Sequence, residues 1–343
     1  MMNDDAPKAA AENHGNVPVT SILEIDDLSV AFPRYGEDDA EVLHRIELVM
    51  NPGEILGLVG ESGSGKTMLA RALMRLIPQP GKVTGGSIRF DGTDLATLEG
   101  EELRKLRGRE IAMIISNPRG ELDPLQTVGQ QIGNILRHHI GLDRRQIRQR
   151  VLDLLVQVSI PDPERRLNAY PHELSGGMAQ RVVIAIALAC SPKLIISDDA
   201  TSGLDVTVQA QVLDLISRLV IDRGTSMLFI TRDIGITAHY CHRIAILYAG
   251  EIVEIAPRES FFDNPQHPYT VLLLAAFAHN ERLRRYWLGE DKPQSDSTPS
   301  LVGCPFQNRC VRVQNRCVQD HPNLRELQLG HFVRCHYPVE REP

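Results

Sequence analysis

No apolar run in this chain exceeds nine residues, the longest being Val182 to Cys190 directly after Arg181. A bilayer crossing needs about 20, so no segment spans a membrane and this run predicts a buried core helix. Positive charge is not in excess either: 37 Lys and Arg face 44 Asp and Glu, a formal net charge of −7. That balance excludes nucleic acid held through phosphate contacts, and the one basic run, Asp143 to Arg150, predicts a solvated helix face. Residues 1–20 lack the basic-then-apolar order of a signal peptide, so they are expected to form a disordered tail on a cytosolic protein.

What remains is an ordinary globular composition, 42% hydrophobic and 24% charged, in 343 residues. That is enough for one large α/β domain and a smaller appendage. Alternation from Ile22 to Phe32 predicts an early strand pair, closed by Pro33 and the turn at 36–39. Further strands are predicted at Ser87–Phe90, Ile111–Ile115, Leu194–Ser197, Met227–Thr231, Ile244–Leu247 and Glu251–Ile255, with a mostly helical insertion between 115 and 194. A helix is expected from Tyr269 to Trp287, then a polar linker at 292–300.

Glu54-Ile-Leu-Gly-Leu-Val59 is an apolar strand that runs into Gly60-Glu-Ser-Gly-Ser-Gly65-Lys66-Thr67, a full G-x-x-x-x-G-K-[ST] match, and Met68 to Leu76 then has helical periodicity. Strand, glycine loop and helix together predict a phosphate cradle. The backbone N–H groups of Gly60, Ser62, Gly63, Ser64 and Gly65 would point inward, Lys66 would reach the β and γ phosphates, and Thr67 would bind Mg²⁺. Leu194-Ile-Ile-Ser-Asp198 is an apolar strand ending in an acid, so Asp198 is the second expected Mg²⁺ residue.

Leu174-Ser175-Gly176-Gly177-Met178-Ala-Gln-Arg181 resembles the signature sequence of ABC-transporter ATPases, and Ser202-Gly-Leu-Asp205 resembles their D-loop. Tyr170-Pro-His-Glu-Leu-Ser175, Asp205-Val-Thr-Val-Gln-Ala-Gln211 and Asn264-Pro-Gln-His-Pro-Tyr-Thr270 narrow the likeness to the oligopeptide/dipeptide (Opp/Dpp) branch, over residues 21–337. The resemblance implies a P-loop fold with a RecA-like core, an antiparallel β subdomain and a helical subdomain at about 117–190, the ATPase domain occupying 21–268. It also implies a head-to-tail dimer in which Ser175, Gly176 and Gly177 face the γ-phosphate held by the other subunit. Phe32 aligns with an aromatic that stacks on adenine in the family, although a core role is an equal rival.

Three positions depart from the family pattern. Where it has a catalytic Glu, this chain has Asp199; where it has a switch His, Arg232; where it has a Gln before Asn117-Pro118, Ser116. Ala200 also replaces the usual Pro. Asp199 is a methylene shorter than Glu, whereas a base must come within about 2.6–3.2 Å of its proton. Arginine cannot act as a base, and the Ser116 hydroxyl is too short to replace an amide. Together these predict a site that binds MgATP and hydrolyses it poorly, completed by a heterodimeric partner ATPase.

The extension from 269 carries a module at about 301–337 with Cys304, Cys310, Cys317 and Cys335; Cys190 and Cys241 lie elsewhere. Disulfides are not expected in a reducing compartment, so clustered thiols point to metal. By count, Zn²⁺ and a [4Fe–4S] cluster are equally suited; the resemblance implies the cluster. His321, His331 and His336 are alternate ligands, or simply surface residues.

The resemblance thus implies an ATP-binding subunit of an importer for peptides or similar small solutes. It would be peripheral to the cytoplasmic face of the membrane, with two permease subunits and a periplasmic or extracellular solute-binding protein as partners. Two rivals are a soluble ABC ATPase of repair or translation and a nucleotide sensor without turnover. The first predicts a coiled-coil insertion or two cassettes, and the chain has neither.

Overall fold

The structure is a computed structural model describing residues 21–36, 38–278 and 302–339. The expected tail at 1–20, the end of the expected 269–287 helix and the linker at 292–300 lie outside the described residues.

The segment expected to form a strand pair is a single strand, β1 (Leu23–Phe32), whose partner β2 (Ala40–Met50) follows across the turn. Its Asp26-Asp27 step does not reverse the chain. Asp27 takes a left-handed φ of 50° and the pairing register shifts between Ile25 and Leu28, which makes a bulge. Next come β3 (Ile55–Val59), α1 (Lys66–Leu73), β4 (Lys82–Phe90) and β5 (Thr93–Asp94). β4 starts five residues before the predicted Ser87, because its first half pairs with β1 while its side chains stay exposed. These strands form a four-stranded antiparallel sheet in the order β2-β1-β4-β5.

After α2 (Gly100–Leu106) and β6 (Ile111–Ile115) the chain is helical: α3 (Pro118–Glu121), α4 (Val128–His139), α5 (Arg144–Gln157), α6 (Pro163–Arg166) and α7 (Gly176–Leu188). Thr127 with Gln130 and Asp143 with Gln146 form capping boxes at the starts of α4 and α5. Helix α5 buries Ile147, Val151, Leu154 and Leu155 and turns its arginines outward. Helix α7 is buried along most of its length, as its apolar run predicts.

The remaining elements are β7 (Leu194–Asp198), α8 (Val206–Arg223), β8 (Ser226–Thr231), α9 (Ile234–Tyr240), β9 (Arg243–Tyr248), β10 (Glu251–Pro257), α10 (Arg258–Asp263), α11 (Pro268–Phe277), α12 (Asn315–Gln319), β11 (Arg325–Gln328) and β12 (His331–Val333). The second sheet has the order β11-β12-β10-β9-β3-β8-β7-β6 and is parallel from β9 to β6. Strand β3 and strands β6 to β10 feed a core on both faces. Ile55 and Val59 of β3 pack with the helical segment, while Leu56 and Leu58 pack with α1 and the small sheet. A strand covered on both sides has no polar alternation, so β3 is buried throughout.

The cysteine module is fastened to this sheet through carboxylates of β10. The fully buried Glu254 accepts the backbone N–H groups of Gln266 (2.8 Å) and His267 (2.9 Å) and meets His331 Nε2 at 2.7 Å. Glu251 meets His321 at 2.8 Å, and His336 meets the Asp320 carbonyl. His321 and His331 are therefore engaged by carboxylates of β10, whereas His336 lines the thiol pocket beside Cys335; His331, 1% exposed, is not a surface residue.

His267 accepts the Tyr269 N–H at Nδ1 (3.1 Å) and so caps α11 in its neutral form. Burial pushes its pKa down to about 4, opposed by Glu254. A folded value below the unfolded one of about 6.5 means the unfolded chain binds more protons between them. The contribution is whole above about pH 6.5 and is lost as pH falls through that window, up to about 3 kcal/mol. Urea unfolding of the chain should show this loss between pH 6.5 and 4, and His267→Asn, which keeps a capping acceptor that does not titrate, should flatten it. An unchanged slope in that variant would refute the assignment.

Candidate nucleotide site

Parallel pairing brings several strand ends level. Val59 pairs with Thr231, Asp198 with Ile230, and Ile115 with Asp198. The loops beginning at Gly60, Asp199, Arg232 and Ser116 therefore leave the sheet at one edge, the carboxyl edge where open α/β sheets bind ligands.

The glycine loop is shaped by steric limits. Gly65 has a φ of 107°, which a side chain would strain, and a Cβ on Gly60 would lie 2.2 Å from the Leu247 carbonyl oxygen. Only this backbone can turn tightly enough to present its amides ahead of α1. Lys66 folds back on its own loop, donating to the Gly60 and Glu61 carbonyls at 2.7 and 2.8 Å. Burial lowers its pKa, against the pull of Asp198 and Asp199. The Thr67 hydroxyl donates to Asp198 Oδ1 at 3.3 Å. Asp198 is raised, by burial first, while that hydrogen bond and Lys66 oppose the rise. Thr67 and Asp198 could hold Mg²⁺, which takes one or two protein ligands and completes its shell with phosphate and water.

A cleft of about 370 Å³ is lined by Gly63, Lys66, Thr67, Asp198, Asp199 and Arg232, among others. At its wall Arg232 Nη2 donates to Asp199 Oδ2 at 3.0 Å. Two of the three departures from the family pattern are thus partners in one ion pair. Beyond them a second cleft of about 580 Å³ runs along Ser202, Gly203 and Leu204 to Phe277.

Other predicted residues lie outside the first cleft. Ser116 is exposed just past β6. Phe32 is half-buried, and its ring occupies the space a Gly81 side chain would need. Ser175 is exposed and caps α7 by accepting the Met178 N–H (3.3 Å), while Gly177 leaves room for Val208. Asp205 caps α8 through the Val208 N–H at 3.0 Å.

Sequence reasoning missed the second support of the loop. Glu61 donates its N–H to the Tyr269 hydroxyl at 3.3 Å, and its carboxylate receives both Nη1 and Nη2 of Arg309 at 2.9 Å. The partners Glu61 and Arg309 are 248 residues apart, beyond any local pattern.

Arg309 belongs to the cysteine module. Cys304, Cys310, Cys317 and Cys335 are buried thiols lining one small pocket. Burial, with the neighbouring cysteines adding, pushes Cys304 up to about 12 and Cys335 to about 11. Among the described residues no group of three or more His, Cys, Asp or Glu is placed to hold a metal ion.

Among the described residues no helix is long and apolar enough to cross a membrane. The family model for ABC transporters matches residues 43–202, and that for the oligopeptide/dipeptide transporter C-terminal region matches 253–317. The chain is 41% identical over 330 residues to the dipeptide transport ATP-binding protein DppD of Escherichia coli, covering 93% of this chain and 98% of that one. It is 43% identical over 317 residues to the probable peptide ABC transporter ATP-binding protein y4tR of Sinorhizobium fredii, covering 92% and 94%. Among solved structures it resembles the ATP-binding cassette MJ0796, in a dimeric post-hydrolysis state bound to ADP and Pi. There the TM-score is 0.61 and the identity 27%, over 69% of this chain and 98% of that one.

Proposed function

The chain belongs to the oligopeptide/dipeptide family of ABC transporter ATP-binding proteins, and we propose that it is the ATP-retaining half of a heterodimeric ATPase driving import of peptides or similar small solutes. Its partners are a second ATPase subunit, two membrane-spanning permeases and an external solute-binding protein, placing it peripherally on the cytoplasmic face of the membrane. MgATP binds at Lys66, Thr67 and Asp198, while Ser175, Gly176 and Gly177 complete the partner's site.

The Arg232–Asp199 ion pair carries this reading. The carboxylate at the base position is a methylene short and engaged by a guanidinium, which has no lone pair with which to accept a proton. Ser116 adds no amide to orient water. Catalysis of phosphoryl transfer is mostly positioning, so losing these groups costs turnover, whereas Lys66, Thr67 and the glycine loop preserve binding. The nucleotide-sensor rival keeps the same site and differs in lacking transport. The peptide and dipeptide transport functions of the relatives favour the importer.

For the four-cysteine module we propose a [4Fe–4S] cluster bound by Cys304, Cys310, Cys317 and Cys335. Four buried thiols around one pocket supply the required soft donors. Such a cluster would cross-link the chain between residues 304 and 335. Anaerobically purified full chain should contain about four iron and four sulfide per chain, lost in Cys310→Ser; stoichiometric zinc in their place would overturn the assignment.

The ATPase reading is checked in the assembled transporter by replacing the partner's catalytic Glu with Gln. Steady-state turnover should fall at least about a hundredfold, as expected when positioned proton transfer is removed, while this chain still binds ATP. Turnover that persists and depends on Lys66 and Asp199 would defeat the proposal.

A further inference from the structure

We infer that Arg309 is a positioning residue for the nucleotide site. It acts through Glu61, neutralising and anchoring the phosphate loop from within the cysteine module. This rests on the binding of MgATP at Lys66.

Glu61 is the second residue of the glycine loop, so its carboxylate lies in the segment that must accept a polyphosphate. Unpaired, that carboxylate, 45% exposed, would oppose an anionic ligand through Coulomb repulsion that salt weakens. Arg309 answers it with a two-pronged contact, both N···O distances being 2.9 Å. A planar guanidinium makes this geometry and an ammonium does not. The arginine is itself held in place. Its guanidinium carbon lies 5.6, 5.8 and 5.7 Å from the ring centroids of Tyr248, Tyr269 and Phe306. Hydrogen bonding to Glu61, above all, raises its pKa further.

The Glu61 peptide is gripped elsewhere as well. Its N–H reaches the buried Tyr269 hydroxyl, and its carbonyl accepts from Lys66. The three Lys66 donors are shared among Gly60 O, Glu61 O and Ser64 Oγ, so turning to a phosphate loosens this set. Arg309 and Tyr269 then remain to hold the loop's conformation. Tyr269 belongs to α11, whose cap His267 hangs on Glu254, so both supports originate in the C-terminal part of the chain. The cysteine module therefore helps to set nucleotide affinity from outside the cleft.

The test is equilibrium binding of MgATP to the full chain at low and high salt, in wild type, Arg309→Gln, Arg309→Lys and the double variant Glu61→Gln/Arg309→Gln, with thermal unfolding recorded for each. Arg309→Gln should weaken binding by about tenfold, the scale of a typical coupling between sites. The defect should shrink as salt rises, and Arg309→Lys should fall between. The double variant should recover most of the loss, because it removes the charge that Arg309 neutralises. A double variant no better than Arg309→Gln at either salt would reduce Arg309 to a structural staple and overturn the proposal. So would an Arg309→Gln chain with wild-type affinity. Wild-type chain that fails to bind MgATP would instead contradict the nucleotide assignment itself.

Discussion

Parallel hydrogen bonding between β3, β7 and β8 is the constraint on which the rest depends. Because Val59 is level with Thr231 and Asp198 with Ile230, the loops that follow meet at a single edge. The glycine loop, Asp198 and the Asp199–Arg232 pair then share one cleft. A register shift of one residue would turn each strand's buried side chains to the opposite face, so the two cores that cover the sheet also hold the site in place. Packing and chemistry are specified by the same ladder.

Within that frame binding and hydrolysis separate physically. On the proposed function, binding would use backbone amides, Lys66 and a cation site at Thr67 and Asp198, which sit on the buried strands and α1. Hydrolysis additionally needs groups that hold a water, and there this chain offers an ion pair and an exposed serine. On the proposed function, this division gives an asymmetric pair of sites, one closing the dimer and the other turning over. The cysteine module joins the binding side, since it reaches the glycine loop through Arg309 and is secured to β10 through Glu251 and Glu254.

Much of the site was legible in the sequence because it is local. The glycine loop, the apolar β7 ending in Asp198 and the cap at Ser175 are contiguous patterns whose physics requires those residues in that order. The strands buried on both faces were recovered with ends within one or two residues. Exposed strands were not: β11 has no buried residue and β4 only Ile88 and Phe90, so neither gave alternation to read over its length. Contacts between distant segments were equally invisible. Nothing near position 61 announces Arg309, and nothing near Asp199 announces that Arg232 will face it. The histidine at 331 looked like a surface residue because its partner, Glu254, lies 77 positions earlier.

The most direct test of the asymmetric account is to follow which chain keeps its nucleotide during turnover. A photoreactive azido-ATP, labelled on the α-phosphate, would be crosslinked in the assembled transporter after rapid removal of free nucleotide. The account predicts that this chain carries label as triphosphate while the partner carries diphosphate. Equal conversion to diphosphate on both chains would contradict it.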